Sequence, residues 1–236
     1  MDLKEQAILG DAIGAHWYYR AKTAAVAGML HGLQPTELLD VGAGSGFFAR
    51  SLLQASPIAA ATCVDPGYDD EHEELVSGKP LRFRRDVARS AADLVLMMDV
   101  IEHVDDDVDL VRTYVEKVPR GARFLVTVPA FQALWSAHDV FLEHRRRYTL
   151  RGVEAVLRTA GLSVERGCYF YGALLPLAAV TRLLGRLRRD AEPRSQMQPM
   201  GRIANAALWW ACRAELPLFR ANRAAGLTAM VLAAKP

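Results

Sequence analysis

A short apolar strand that breaks into three glycines within five residues constrains this chain more than any other feature. Residues 38–48 read LLDVGAGSGFF. Leu38, Leu39 and Val41 suit a strand buried on both faces, Gly42, Gly44 and Gly46 punctuate a turn, and Phe47 restarts a helical pattern. Glycine lets the backbone turn tightly and approach a ligand without a Cβ, and a helix N-terminus just beyond offers free N–H groups. The spacing is G-x-G-x-G. A dinucleotide fingerprint needs a third small residue where this chain has Phe47, whose ring would crowd the helix–strand contact. That disfavours NAD and FAD. No Gly-Lys-Ser/Thr follows, so the loop is not of the Walker type either.

Around this motif the patterns alternate. Strands are predicted at Glu37–Val41, Ala59–Asp65, Leu81–Arg84, Asp93–Met98 and Arg123–Val128, with helices at Phe47–Leu53 and Val108–Val118. Such alternation gives βαβ units and a parallel sheet, with ligands at the carboxyl ends of the strands. One helix is expected over residues 3–31, stopped by Gly32. After the core come an amphipathic helix at Thr149–Ala160, a strand at Leu162–Tyr171, two helices at Ala173–Leu187 and Arg202–Phe219, and a closing strand at Gly226–Ala234. The polar breaker RRDAEPRSQMQPMG separates the two helices. A single domain is predicted: a helical cap over 1–34, the ligand-binding core over 35–171, and a helical insertion over 172–222.

Composition narrows the class. Hydrophobic residues make up 51% of the chain and charged ones 24%, the balance of a globular protein with a sizeable core. No apolar run reaches the roughly 18–20 residues that span a bilayer. The opening MDLKEQAILGDAIGAHWYYR lacks an apolar h-region, so no secretory signal is expected. Cys63, Cys168 and Cys212 fit neither a zinc spacing nor a disulfide framework, which makes a reducing cytoplasm the default location. Charge is divided unevenly: residues 145–236 carry 16 Lys/Arg against 5 Asp/Glu. This is either a set of solvated helix faces or a basic face for an anionic substrate or membrane surface. Nucleic acid is not expected, because no basic stripe is interleaved with exposed aromatics.

Two aspartates extend the glycine signal. Asp65 ends the second strand, 19 residues after Gly46, where a carboxylate can hold both hydroxyls of a ribose. Asp86 follows the third strand and can accept from an adenine amino group. Each alone suits a turn or helix cap, but their joint placement at successive strand ends does not. In order and spacing, LLDVGAGSG, CVDPGY, RRDVA and ADLVLMMDVIEHVDDD resemble the nucleotide-binding motifs of class I S-adenosylmethionine methyltransferases, over roughly residues 35–165. HWYYRAK, LWSAHDVFLEHRRRYT and the ending GLTAMVLAAK resemble a subgroup found beside envelope-polysaccharide and secondary-metabolite genes.

The resemblance implies an α/β, Rossmann-like, seven-stranded and mostly parallel sheet of order 3-2-1-4-5-7-6, its last strand antiparallel. It implies S-adenosylmethionine as cofactor and a small-molecule, lipid-linked or glycan-linked acceptor. Carried over by position, Asp40, Gly42, Gly44 and Gly46 would surround the methionine part, Asp65 would hold the ribose with Pro66 beside it, and Asp86 and Val87 would border the adenine. Asp99 would sit near the methionine amino group. Tyr19 and Arg20 would close the pocket, Arg20 facing the cofactor carboxylate; the alternative is that His16–Tyr19 is a packing stripe.

Methyl transfer from a sulfonium is an in-line displacement in which positioning supplies much of the rate. An oxygen or nitrogen nucleophile can still need a base. His138 and His144 are the candidates, with Asp139 or Glu143 to orient an imidazole; the alternative is surface histidines in a charged loop. Asp99, Glu102 and His103 have ligand-like spacing, with His138 as a further ligand, and resemble metal sites in some quinone and RNA 2′-O methyltransferases. The reading adopted is a metal-free site in which Glu102 and His103 pack and hydrogen-bond locally. A cofactor-binding protein without transferase activity is the contrasting class. The stretch GALLPLAAVTRLLGRL, followed by arginines, and the tryptophans Trp209 and Trp210 suit either a lid over an apolar pocket or a helix pair lying on a membrane surface through residues 172–220.

Overall fold

The apolar run Leu94–Met98 is buried along its whole length. Leu94, Leu96 and Met98 enter one hydrophobic core, while Val95 and Met97 enter another on the opposite face. A strand used on both faces must be covered by helices above and below, and the remaining elements supply that cover.

The computed structural model describes residues 8–187 and 200–236. In chain order the elements are α1 (Trp17–Met29), β1 (Glu37–Val41), α2 (Phe47–Ala55), β2 (Ala60–Val64), β3 (His72–Val76), β4 (Lys79–Arg84), β5 (Leu94–Met98), α3 (Asp107–Lys117), β6 (Arg123–Pro129), α4 (Ala137–Phe141), α5 (Leu150–Thr159), β7 (Ser163–Phe170), α6 (Leu175–Leu187), α7 (Arg202–Glu215) and β8 (Thr228–Ala234). The sheet has eight strands in the order β3-β4-β2-β1-β5-β6-β8-β7. β4, β2, β1, β5 and β6 run parallel. β8 is antiparallel to both its neighbours, β6 and β7. α1 and α2 cover the first core, α3 and α5 the second.

Three expectations change. The sheet has an eighth strand, the edge strand β3, which hairpins onto β4; without it the order is the expected one. Ser77 (φ 53°) and Gly78 (φ 78°) are both left-handed, the two-residue turn that matches the twist of a hairpin. The charged, mostly exposed HEELV gave no apolar pattern to find. The N-terminal helix is broken: Gly10–Ala15 form a 3-10 turn, His16 is extended, and α1 starts at Trp17. Gly10 and Gly14 weaken a continuous helix there. Residues 1–7 lie outside the described residues. The last helix stops at Glu215, because Pro217 cannot continue it; Phe219 then turns into the core against Gly28.

The two insertion helices fall between β7 and β8, as expected, and α7 is pinned to α1. Asn205 accepts from the Trp17 backbone N–H at 2.8 Å and donates to Ala15 O at 3.0 Å. The Glu215 carboxylate accepts from Gly172 N–H at 2.9 Å. Residues 188–199, most of the polar breaker, lie outside the described residues. Among the described residues, no helix is long and apolar enough to cross a membrane. All three cysteines are buried thiols.

Candidate active site

The turn after β1 places Gly42, Gly44 and Gly46 at φ 63°, 51° and 72°. A Cβ at Gly42 would lie 2.8 Å from Val100, and one at Gly46 3.0 Å from Phe83, so this loop closes only with glycine. Asp65, just past β2, ties it down: one carboxylate oxygen accepts from Gly44 N–H at 3.0 Å, the other from Gly67 N–H at 2.9 Å. The Tyr68 hydroxyl donates to Gly44 O at 2.7 Å. A carboxylate has about four acceptor positions, so Asp65 keeps capacity for a pair of hydroxyls. Glycine turn, following helix and half-buried carboxylate fit a nucleoside with an anionic or zwitterionic tail.

The other positions named from sequence are distributed unevenly about this loop. Asp40 is buried beneath it and accepts from the Ala49 backbone N–H. Burial pushes its carboxyl up to about 7; it braces the start of α2 rather than facing a ligand. Asp86 is exposed and paired with Lys117 at 2.6 Å. Val87 packs against the second core and Pro66 is exposed.

A cavity of about 440 Å³ reaches Phe48 in the helix that follows the loop. Tyr19 and Lys22 of α1, Phe48 of α2, Asp99, and Leu177 and Leu208 of α6 and α7 all line it. Tyr19 and Asp99 therefore reach the cavity. Arg20 does not: α1 turns it outward, where its guanidinium lies 4.3 Å over the Trp209 ring. Lys22, one helical turn from Tyr18 and Tyr19, holds the inward position and was missed from sequence. It is 1% exposed and forms an ion pair with Asp99. The only signal was a lysine in register with an aromatic stripe. Thr127 Oγ1 also donates to Asp99 at 2.9 Å. Burial alone would raise the Asp99 carboxyl, but Lys22 and these hydrogen bonds hold it below the usual range. Asp99 is left-handed (φ 56°), as are Phe131, Glu143 and Tyr171. Backbone strain of this kind gathers at functional sites.

The lining also includes a polar set: His103, His138, His144 and Arg147. Ser136 caps α4 and exchanges hydrogen bonds with Asp139. Asp139 is fully buried and accepts from Arg147 Nε at 2.6 Å and Nη2 at 2.9 Å. His144 Nδ1 lies 3.0 Å from the same carboxylate. Burial opposes the charge on Asp139, yet the bonds from His144 and Arg147 keep its carboxyl well below the usual range. The next residues form a clamp: Arg145 donates from its backbone to Glu102 O (2.8 Å) and from Nε to His103 O (2.7 Å). Arg146 Nη2 donates to Val104 O at 2.9 Å, and the Tyr148 hydroxyl to Asp107 at 2.6 Å. Charges that suggested a basic outer face are thus partly spent inside the fold.

This clamp brings Glu102, His103 and His144 together, their ligand atoms all within 4.8 Å of one another. The His103 and His144 rings meet edge to face at 4.8 Å. Of the local hydrogen bonding expected for Glu102, the side chain has only its own backbone N–H. Its side chain is completely buried, and apart from its own backbone N–H no described residue hydrogen-bonds to either oxygen. Burial, with Asp99 adding to it, pushes this carboxyl well above the usual range. His138 also lines the cavity. Burial lowers its pKa to about 4 against the pull of Asp139, which makes it a weak proton acceptor at neutral pH. Of the two histidines named from sequence, the one with an orienting carboxylate is His144.

Residues 15–166 match a family model described as a methyltransferase domain. The chain belongs to that family. Its members with this fold take the methyl group from S-adenosylmethionine, the cofactor that the glycine loop and Asp65 fit. The malonyl-[acyl-carrier protein] O-methyltransferase of Geobacter sulfurreducens is 33% identical over 118 residues, which are 49% of this methyltransferase-family chain and 35% of that protein. The chain thus spans about a third of this relative's length. Among solved structures, phosphoethanolamine N-methyltransferase 2 of Haemonchus contortus in complex with S-adenosyl-L-methionine superposes with a TM-score of 0.57 at 15% identity, over 99% of this chain and 56% of that one. The [4+2]-cyclase SpnF gives 0.56 at 16% identity, over 93% and 82%. These structural likenesses show the shared fold.

Proposed function

We propose that the protein transfers the methyl group of S-adenosylmethionine to an oxygen of a largely apolar acceptor, bound in the cavity with its nucleophile at the His144 end. The observation that carries this reading is that cavity itself, whose lining combines apolar residues of α6 and α7 with Asp99, Glu102, His103, His138, His144 and Arg147. When bound, the cofactor supplies an electrophilic methyl on an already activated sulfur. The chain's own residues then position and desolvate. The glycine loop and Asp65 hold the nucleoside, Tyr19 and Asp99 bound the methionine end, and the helices exclude water. His144, its Nδ1 held by Asp139, presents Nε2 to take the proton from an acceptor hydroxyl. Of the positions the resemblance named, Asp86 would release Lys117 to reach an adenine, and Gly42, Gly44 and Gly46 would act through their backbone.

S-adenosylhomocysteine at 100 times its Kd is expected to stabilise the fold by about 2.7 kcal/mol. Asp65→Ala should weaken its binding by about 1.5–3 kcal/mol, the worth of a charge-assisted hydrogen bond. Calorimetry that shows no binding to the unmodified protein would sink the reading.

A lipid-linked acceptor is favoured by one specific observation. Leu177, Ile203, Trp210 and Leu218 are 58%, 88%, 63% and 75% exposed on the insertion, beside exposed Arg202, Arg213 and Arg220. Apolar anchors with arginines at phosphate height suit a helix pair lying on an anionic surface. Cosedimentation with vesicles of mixed neutral and anionic phospholipid is expected, weaker in high salt and lost on Ile203→Ser with Trp210→Ser. No cosedimentation at low salt would leave the helices as a lid only.

A further inference from the structure

We propose that Glu102 reads the acceptor: its carboxyl O–H donates a hydrogen bond to a second oxygen beside the hydroxyl that is methylated, so the substrate is a phenol or enol with a neighbouring carbonyl or ether oxygen. This deepens the proposed function and rests on it for the nucleophile. The first support is the state of Glu102. Its side chain is 0% exposed, the residue lines the cavity, and apart from its own backbone N–H no described residue hydrogen-bonds to either oxygen. Buried polar groups in folded proteins have partners as a rule, and one left idle beside a cavity is available to the molecule that fills it. The second is what surrounds it. Lys22, the cation on α1, is engaged with Asp99 and with the Tyr18 hydroxyl at 3.1 Å. Asp99, on the same turn as Glu102, adds negative charge, the Tyr148 hydroxyl donates to Asp107 at 2.6 Å, and His103 and His144 each bring a ring nitrogen within 4.8 Å. An ionised carboxylate without a hydrogen-bonded cation is costly to desolvate. Burial first and Asp99 second keep the proton on Glu102, against a weaker pull from Lys22, and a protonated carboxyl is a hydrogen-bond donor.

The third support is the separation from His144. One Glu102 oxygen and one nitrogen each of His103 and His144 lie within 4.8 Å of one another. A hydrogen bond spans about 2.7–3.0 Å, so a carboxyl and an imidazole at that separation can each hold one of two oxygens on neighbouring carbon atoms. His144 Nδ1 is engaged with Asp139 at 3.0 Å, which leaves Nε2 for the hydroxyl. Small side-chain rotations bring the Glu102 carboxyl onto the second oxygen. In the transfer the hydroxyl proton goes to His144 Nε2, the oxygen takes the methyl, and the electron pair of the broken C–S bond stays on sulfur. Glu102 keeps its proton throughout; it orients and selects. An acceptor without the second oxygen leaves this donor buried and unpaired, which discriminates more strongly than a lost apolar contact. Trp17, Tyr18 and Tyr171 in the same lining suit a flat acceptor.

The test is calorimetric titration of the full-length protein, saturated with S-adenosylhomocysteine, with 2-methoxyphenol and with 4-methoxyphenol. The 2-isomer is expected to bind about tenfold more tightly, the effect of one buried donor gaining its partner. Glu102→Gln keeps an N–H donor and should keep the preference, whereas Glu102→Leu should abolish it. A second measurement needs no acceptor. The infrared difference between the unmodified protein and Glu102→Gln at neutral pH should contain the carbonyl stretch of a protonated carboxylic acid, and it decides the matter should Glu102→Leu not fold. The proposal is overturned by carboxylate bands in that difference, by equal or undetectable binding of the two isomers to the unmodified protein, or by a preference that survives Glu102→Leu. A preference lost in both variants also overturns it, because the acceptor then meets a charge rather than a donor. S-adenosylhomocysteine binding without isomer preference overturns this proposal alone; absence of S-adenosylhomocysteine binding overturns the transferase reading, and with it the acceptor assigned here.

Discussion

Replacement of His144 by alanine is expected to lower kcat by about 10²- to 10⁴-fold, the usual contribution of a positioned proton acceptor, with S-adenosylhomocysteine affinity unchanged. The prediction follows from a contrast between two neighbouring imidazoles. His144 is tied to a buried carboxylate through Nδ1, whereas His138 is kept neutral by burial, with a pKa near 4. His138→Ala should therefore cost less in rate and show more of its effect as lost packing. The pH dependence adds a second readout. If His144 takes the proton, the deficit of the alanine variant narrows at high pH, where the acceptor ionises unaided. Undiminished turnover in His144→Ala would remove this residue from the chemistry.

The second large effect is on stability. Arg147 and Asp139 are 3% and 0% exposed in their side chains. Removing one member of a buried ion pair leaves the other without compensation, at about 3–5 kcal/mol. Arg147→Ala should cost that much in denaturant unfolding. The paired change Arg147→Met with Asp139→Leu should recover most of it, since apolar residues of similar volume replace buried pairs well, yet leave activity low because His144 loses its holder. The sign of the pH dependence follows from the depressed carboxyl of Asp139. Its contribution is complete above the unfolded value near 4 and is lost as pH falls further, because the unfolded chain then takes up a proton that the folded one refuses. Asp139→Asn should flatten that part of the acid limb. An acid limb of equal steepness in both proteins would show that the pair does not carry it.

Elements with strong periodicity were legible. Glu37–Val41 and Arg123–Val128 were found nearly to the residue because apolar runs of that length have few other uses, and the glycine turn located the cofactor end. The hairpin at His72–Val76 was not legible, because an exposed edge strand has no apolar face to report. Lys22 and the 145–148 clamp were invisible for a different reason. A lysine in a helix and a run of arginines look solvated in sequence, and only tertiary partners reveal that Lys22 meets Asp99, that Arg147 is buried against Asp139, and that the more exposed Arg145 and Arg146 reach main-chain carbonyls. Arg20 was preferred to Lys22 because charge alone does not say which face of α1 turns inward. Glu102 shows the converse: its charge looks solvated in sequence, and the fold buries it completely with only its own backbone N–H beside it.

The residues at 145–148 tie the reactive end of the cavity to the turn at 101–107 through main-chain and side-chain hydrogen bonds. The insertion is attached differently, by packing of Leu174, Cys212 and Phe219 into the core and by polar ties such as Asn205 to Trp17 and Ala15, Glu215 to Gly172, and Arg182 to Leu134 O at 2.9 Å. The insertion is nevertheless one continuous excursion between two adjacent strands, β7 and β8. Exchanging residues 172–222 is therefore expected to alter which acceptors fit, provided that Cys212 and Phe219 keep their places in the core shared with α1 and α2. Chimeras joined at Gly172 and Gly226, where both chain ends re-enter the sheet, are the natural cut points for moving one protein's substrate range onto another's catalytic frame.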